Sequence, residues 1–235
     1  MLPSSQNNAS LAPIRKVLDK IKFDVIQTKF HTYIVMIDKF EIDNIADAEG
    51  MLACAYTDPE VFELEIKRIF EKVWIFVGHV SQVPNPGDFR RTRIGTNEVL
   101  LVRQQDLSLR TLFNACAHRG TRLCSESQGT RKSFVCPYHA WTFEIDGTLR
   151  GVPDISSYPN SFDVNDSSMH LNAAPRVEEY RGFIFASLAE QGPDLIHFLG
   201  KMTDAIDNLV DRSPEQSICI DGGNFRVRYF GNWKL

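Results

Sequence analysis

The spacing of hydrophobic and polar positions changes several times along the chain. Residues 1 to about 13 are rich in Ser, Asn and Pro and predict a disordered start. Residues 14–50 hold one β-like run, Phe30–Ile37, interrupted by Lys and Asp on both sides, and predict no definite element. A helix is expected from Thr57: Thr57 with Glu60 three residues later forms a capping-box pattern, and Pro59 falls in the first turn. Phe62, Ile66, Ile69 and Val73 then recur at helical spacing, as on the packing face of a helix. From Trp74 to Leu188 short apolar or alternating runs sit between turn residues such as Pro84-Asn85-Pro86-Gly87-Asp88. Val99–Val102, Leu109–Phe113, Phe134–Cys136, Trp141–Ile145 and Phe183–Leu188 read as strands. Asp146-Gly147 between Trp141–Ile145 and Thr148–Arg150 predicts a two-residue hairpin. A second helix is expected from Asp194, a plausible N-cap, to Val210, with Leu195, Leu199, Met202, Ile206 and Leu209 on one face. After the turn Asp221-Gly222-Gly223, a strand pattern runs from Phe225 to Leu235. The sequence shows no internal repeat.

Composition narrows the function classes. The chain has 235 residues, enough for one large domain, and a net charge of −4. That balance lacks the basic footprint of a nucleic-acid binder. Its longest apolar runs, Tyr33–Ile37 and Val73–Val77, fall far short of the roughly 20 residues needed to cross a bilayer. No membrane and no nucleic-acid partner is therefore expected. Five cysteines, an odd number, do not suggest a secreted disulfide framework. Met1–Asn8 is polar and unlike a signal peptide, so a cytoplasmic setting is expected and the sequons at Asn8 and Asn165 read as chance.

Four residues carry the chemistry. Cys116-Ala117-His118 is followed, after 17 residues, by Cys136-Pro137-Tyr138-His139. Each pair comes just after a predicted strand, which suggests two hairpin tips facing one another, each offering a thiolate and an imidazole. The order Cys, His, Cys, His differs from the Cys, Cys, His, His of common zinc fingers. A two-iron cluster that gives both thiolates to one iron and both imidazoles to the other suits two mixed loops, although a zinc site stays open. Two ferric ions, two sulfides and two thiolates sum to zero charge, so such a cluster takes up an electron more readily than an all-thiolate one. Gly120 suits a positive φ, and Pro137 removes one N–H between the ligands.

These motifs resemble the Rieske iron–sulfur proteins, specifically the alpha (large) subunit of ring-hydroxylating Rieske non-haem iron oxygenases. The resemblance runs from about Thr57 to Leu235, roughly three quarters of the chain. It rests on Tyr56-Thr57-Asp58-Pro59-Glu60, the stretch from Gly78-His79 to Pro86-Gly87-Asp88, and Cys116-Ala117-His118-Arg119-Gly120. It continues through Cys136-Pro137-Tyr138-His139-Ala140-Trp141, Arg181-Gly182-Phe183-Ile184-Phe185 and Gly231-Asn232-Trp233-Lys234-Leu235. It implies a Rieske [2Fe-2S] cluster, with Cys116 and Cys136 on the inner iron and His118 and His139 on the outer one. Respiratory Rieske proteins carry an extra disulfide across the cluster loops. Here Pro137-Tyr138 offers no cysteine and Cys124 no matching partner, so the site resembles the lower-potential oxygenase type.

The implied fold is a mainly β Rieske domain, its cluster held by two hairpin loops, flanked by helices: α+β overall, with the start of a truncated catalytic domain. The expected organisation is a poorly defined segment at 1–50, an N-terminal helix at 51–73, the Rieske domain at 74–190 and the beginning of a catalytic domain at 191–235. The implied function is oxidoreductase: electrons pass from a reductase or ferredoxin toward a mononuclear Fe(II) that hydroxylates an aromatic ring in its catabolism. A trimer, alone or with a small beta subunit, is implied too. No two-His-one-carboxylate set for that iron is found here, since Asp166 and His170 lack a second histidine. No catalytic residue is therefore named, and the chain itself is expected to carry electrons without hydroxylating. A stand-alone Rieske ferredoxin and a structural zinc module are the alternatives. Cys54, Cys124 and Cys219 read as free thiols, His79 as a packed histidine, and His31, His170 and His197 as unpartnered. Trp141 is expected to cover the cluster. Tyr138 either donates to a cluster sulfur or packs.

Overall fold

Val99, Leu100, Leu101 and Val102 are all fully buried. A strand points alternate side chains to opposite faces, so an unbroken apolar run needs cover on both sides. The computed structural model, which describes residues 45–47, 50–220 and 229–235, supplies that cover. The chain runs through β1 (Ala46–Asp47), β2 (Gly50–Met51), α1 (Cys54–Thr57), α2 (Pro59–Glu65) and a π-helical turn (Ile66–Phe70). It continues through β3 (Ile75–His79), β4 (Asp88–Ile94), β5 (Asn97–Arg103), β6 (Leu109–Phe113), β7 (Gln128–Thr130) and β8 (Ser133–Val135). Then come β9 (Thr142–Glu144), β10 (Leu149–Gly151), β11 (Arg176–Tyr180), β12 (Phe183–Ser187), α3 (Leu195–Leu199) and α4 (Met202–Val210).

Beside the short β1-β2 ladder stand three antiparallel sheets, ordered β6-β5-β4-β7, β10-β9-β8 and β11-β12-β3. β5 is the wall between two cores. Leu100 and Val102 pack with Phe89, Leu112, Phe134, Trp141 and Phe143. Val99 and Leu101 face Val77, Ile94, Ile184 and Ala186. Each such fully buried Val or Leu contributes about 1.5–3 kcal/mol. The mainly β architecture expected between the flanking helices is present.

Several expected details differ. The cap of α2 is Asp58, whose carboxylate accepts from the Glu60 N–H at 2.8 Å, while Thr57 ends the preceding turn. The expected helix at 51–73 is thus two short helices and a π-helical turn, and Val61 and Ile66 are buried while Phe62 and Ile69 are exposed. The second expected helix begins at Asp194, which accepts from the His197 N–H, but breaks at Gly200, φ 50°, into α3 and α4. That break leaves Met202 and Leu209 exposed, and Leu195, Ile206 and Val210 carry the packing. The turn between β9 and β10 has three residues, not two, between its hydrogen-bonded ends: the Glu144 N–H donates to the Thr148 carbonyl, and Gly147, φ 96°, takes the left-handed position. Residues 229–235 form no strand. The polar start, Phe30–Ile37 and Asp221-Gly222-Gly223 lie outside the described residues.

The two ligand-bearing loops are built differently. Cys136–Trp141 closes the paired strands β8 and β9. Cys116–Thr121 lies instead between β6 and β7, the two outer strands of the four-stranded sheet, so it is not the hairpin tip expected. Asn114 closes it with a side chain where no ladder can. The Asn114 amide donates to the Cys124 carbonyl at 2.8 Å, and its oxygen accepts from the Cys124 N–H at 2.9 Å. The Asn114 N–H itself donates to the Glu98 carbonyl at 2.9 Å, which ties the loop to β5.

His79 ends β3 at 1% exposure. Its Nδ1 accepts from the Ser81 N–H, which puts the ring proton on Nε2, an atom with no partner among the described residues. Gly182, φ 89°, sits against this ring: a Cβ there would lie 2.8 Å from His79 Cε1. Burial holds the His79 pKa below the ordinary 6.5, with Glu179 opposing.

Asn114→Ala leaves both backbone groups of buried Cys124 unpaired, so unfolding free energy should drop by about 2–4 kcal/mol in denaturant titration. Loss within about 0.5 kcal/mol would show that water replaces the clamp. For His79 the unfolded chain takes up a proton near pH 6.5 while the folded chain resists it. Its contribution is therefore complete above that pH and declines as pH falls below it. Melting temperature should drop between pH 7.5 and 5.5, and His79→Asn should flatten that drop.

Candidate metal centre

The Cys116–Thr121 and Cys136–Trp141 loops share one hydrogen-bond pattern. The Cys116 N–H donates to the Thr121 carbonyl at 2.8 Å and the Gly120 N–H returns to the Cys116 carbonyl at 2.7 Å. The Cys136 N–H donates to the Trp141 carbonyl at 2.8 Å and the Ala140 N–H returns to the Cys136 carbonyl at 2.9 Å. The residue that closes each turn has positive φ: Gly120 at 68° and Ala140 at 54°. Gly120 was legible in the sequence. Ala140 holds the same left-handed conformation with a Cβ, at a cost of roughly 1 kcal/mol.

The turns bring all four candidate ligands together in two pairs. Cys116 and Cys136, 3% and 2% exposed, lie in the first core, where the Cys136 thiol helps to push the Cys116 thiol up. His118 and His139 are half-buried at the outer side, their rings 4.8 Å apart. Among the described residues no three His, Cys, Asp or Glu side chains gather around one point. Two thiols beneath two imidazoles is the donor set of a cluster with two metals.

The electrostatics fit a bound group. Burial pushes the Cys116 thiol up; the N–H groups of His118 and Arg119 aim at its sulfur and pull it back, and Cys136 pushes it up again. Those N–H donors favour a negative sulfur, as metal ligation requires. Burial, then Arg119 and His139, hold His118 below the usual histidine range, which keeps its imidazole neutral and able to ligate. Its Nδ1 is buried with no hydrogen-bond partner among the described residues. A buried imidazole nitrogen without a partner is one that a metal bond would satisfy.

Neighbouring residues complete the centre. Trp141, buried in the first core, stacks on His118 at 4.7 Å and 4° and donates its indole N–H to the Tyr158 hydroxyl at 3.0 Å. Tyr138 is 60% exposed and stacks on His139, with centroids 3.7 Å apart, so it does not pack into the core. Glu98 binds Arg91 and Arg93 on β4 and Arg122 beyond the first loop. Burial pushes its carboxyl up, but Arg93, Arg122 and Arg91 leave it below the usual range. Cys124 is buried, donates to Glu126 at 3.1 Å and is pushed up to about 11 by burial and Glu126. That thiol is inert. Cys54 and Cys219 are free thiols, His79 lies in the fold's interior, and Asp166 caps the short turn that precedes His170. His31 lies outside the described residues. Asn114, Tyr158 and Glu98 escaped sequence reasoning, because each acts across long sequence separations without a local signal.

The Rieske [2Fe-2S] domain model matches residues 73–172. The toluate 1,2-dioxygenase alpha subunit of Pseudomonas putida is 41% identical over 192 residues, covering 80% of this chain and 42% of the relative. The anthranilate 1,2-dioxygenase large subunit of Acinetobacter baylyi is 38% identical, covering 77% of this chain and 38% of the relative. The chain thus spans about two fifths of the length of these relatives. Among solved structures, naphthalene 1,2-dioxygenase from Rhodococcus sp. bound to indole aligns with a TM-score of 0.62 and 35% identity, covering 67% of this chain and 36% of that one. A quaternary ammonium Rieske monooxygenase with L-carnitine aligns at 0.61 and 31%, covering 67% and 44%. Residues 73–172 are thus a Rieske [2Fe-2S] domain, and over that domain and the segments that flank it the chain is similar to alpha subunits of ring-hydroxylating Rieske oxygenases.

Proposed function

We propose that Cys116, His118, Cys136 and His139 hold a Rieske [2Fe-2S] cluster and that the chain is the electron-transfer part of an aromatic-ring-hydroxylating oxygenase. The observation that carries this reading is the pair of matched turns, which set two buried thiols beneath two half-exposed imidazoles. When bound, the cluster supplies reversible one-electron chemistry. The chain's own residues prepare for it. The N–H groups of His118 and Arg119 stabilise charge on the Cys116 sulfur. The first core excludes water from the thiols, and the imidazoles face outward, where an electron enters or leaves.

Electrons would come from a reductase or ferredoxin and pass toward a mononuclear iron. In this reading the two His and one carboxylate of that iron would come from elsewhere in the assembled enzyme. Dioxygen chemistry, the aromatic substrate, a trimer and a small beta subunit attach to the assembled enzyme. Support for assembly comes from a relative of known structure, a quaternary ammonium Rieske monooxygenase described with inter-subunit electron transfer. The proposed organisation is a helical lead at 51–73, the Rieske domain at 74–190 and the opening of a catalytic domain at 191–235. Among the described residues no helix is long and apolar enough to cross a membrane. A cytoplasmic setting is part of this proposal.

Purified without oxygen, the chain should be coloured, contain about two irons and two acid-labile sulfides, and give a rhombic EPR signal on reduction. Colourless protein with stoichiometric zinc would sink the reading. Cys116→Ser and His139→Ala should each lower bound iron at least tenfold. Cys124→Ser, at a buried thiol that only donates to Glu126, should leave iron content and spectrum unchanged.

A further inference from the structure

Trp141 has a role beyond filling the core. Its ring lies parallel to His118, 4.7 Å away and tilted by 4°. His118 is on the first loop, and Trp141 ends the second. A candidate ligand of the first loop therefore stacks on a residue of the loop that carries Cys136 and His139. A parallel stack leaves the indole free to rotate in its own plane, and that freedom is removed from behind. The Trp141 N–H donates to the Tyr158 hydroxyl at 3.0 Å. Tyr158 in turn rests on Phe162, with centroids 4.5 Å apart, and Phe162 meets the Trp141 ring edge-on at 5.8 Å. Simple packing asks for volume but not for this hydrogen bond or this parallel geometry. The atom that gains most is His118 Nδ1, buried and without a hydrogen-bond partner among the described residues, because its direction is set by the plane of the ring.

We propose that Tyr158 and Trp141 are positioning residues: Tyr158 fixes the indole, and the indole fixes the plane of the His118 imidazole and so the direction of its metal bond. This rests on the assignment of His118 as a cluster ligand. Tyr158→Phe keeps the ring and removes only the hydroxyl, so the cluster should form at wild-type content while the EPR g-values and the reduction potential shift. Trp141→Phe should shift both further. If the hydroxyl acts through the indole, Tyr158→Phe should add nothing in the Trp141→Phe background. Ile184→Val, in the other core, should lower the melting temperature without moving the spectrum. Wild-type g-values and potential in both Tyr158→Phe and Trp141→Phe, whatever their melting temperatures, would overturn the positioning role and leave the cluster assignment standing. A wild-type chain without iron and sulfide would overturn that assignment, and this inference with it.

Discussion

The arrangement depends on burying two thiols against each other while keeping their companion imidazoles at the surface. An isolated thiol buried in an apolar core is driven to stay protonated, and two in contact reinforce one another, which is the direction seen at Cys116. A metal needs thiolates. The turn itself eases the conflict in part: it is closed by the Gly120 N–H, and the backbone N–H groups of His118 and Arg119 oppose the upward push on the Cys116 thiol. Backbone, rather than a nearby cation, thus favours the ionised ligand. Any residue with a backbone N–H could occupy those intervening positions, provided the fourth after the cysteine accepts positive φ. This explains why one loop spaces its ligands Cys-x-His and the other Cys-x-x-His, yet both fold the same way.

Such turns are useful only if both are held at a fixed separation, and the two sheets achieve this unequally. The second turn inherits its position from the β8–β9 ladder. The first hangs between strands that do not pair. Its anchorage comes from Asn114, from the Glu98 carbonyl behind it and from the Glu98–Arg122 ion pair beyond it. All three trace back to β5, whose central residues are buried on both faces. An exposed ion pair alone contributes little, about 0–1 kcal/mol. The buried amide clamp decides the loop's geometry and the ion pair trims it.

What was legible in the sequence follows the same division. The four candidate ligands, Gly120 and most strands with apolar or alternating runs announced themselves locally, but β3, which begins in the apolar run Val73–Val77, is not among the expected strands. Leu109–Phe113 was read to the residue. β4 escaped because its outward positions are Arg90, Arg91 and Arg93, so Phe89 and Ile94 give a poor alternating signal. β11, with Glu178 and Glu179 mid-strand, and three-residue β7 escaped for similar reasons. The second helix was read through Gly200 because Leu195, Leu199, Met202 and Ile206 keep helical spacing across the break. Periodicity records which residues could share a face, not whether the backbone continues between them. Asn114 could not have been found: its partners are chosen by a loop closure ten residues long, not by a neighbouring motif.

The ends of the described chain show a further constraint. Glu65, at the end of α2, accepts from the Trp233 indole N–H at 2.8 Å and pairs with Lys234, both charged side chains being 12% exposed. Lys234 also lies 5.6 Å from the Tyr56 ring, and Asn232 donates to the Tyr56 carbonyl at 3.0 Å. Taking two charges out of water costs several kcal/mol per ion, so this pair is a weak source of net stability. Its value is selectivity. An apolar contact would let Asn232–Lys234 settle at several registers along α1 and α2, whereas one carboxylate shared between an indole and an ammonium accepts one. The segments before and after the Rieske domain are thereby locked to each other, 168 residues apart in sequence, by an interaction too costly to form anywhere but at the right place.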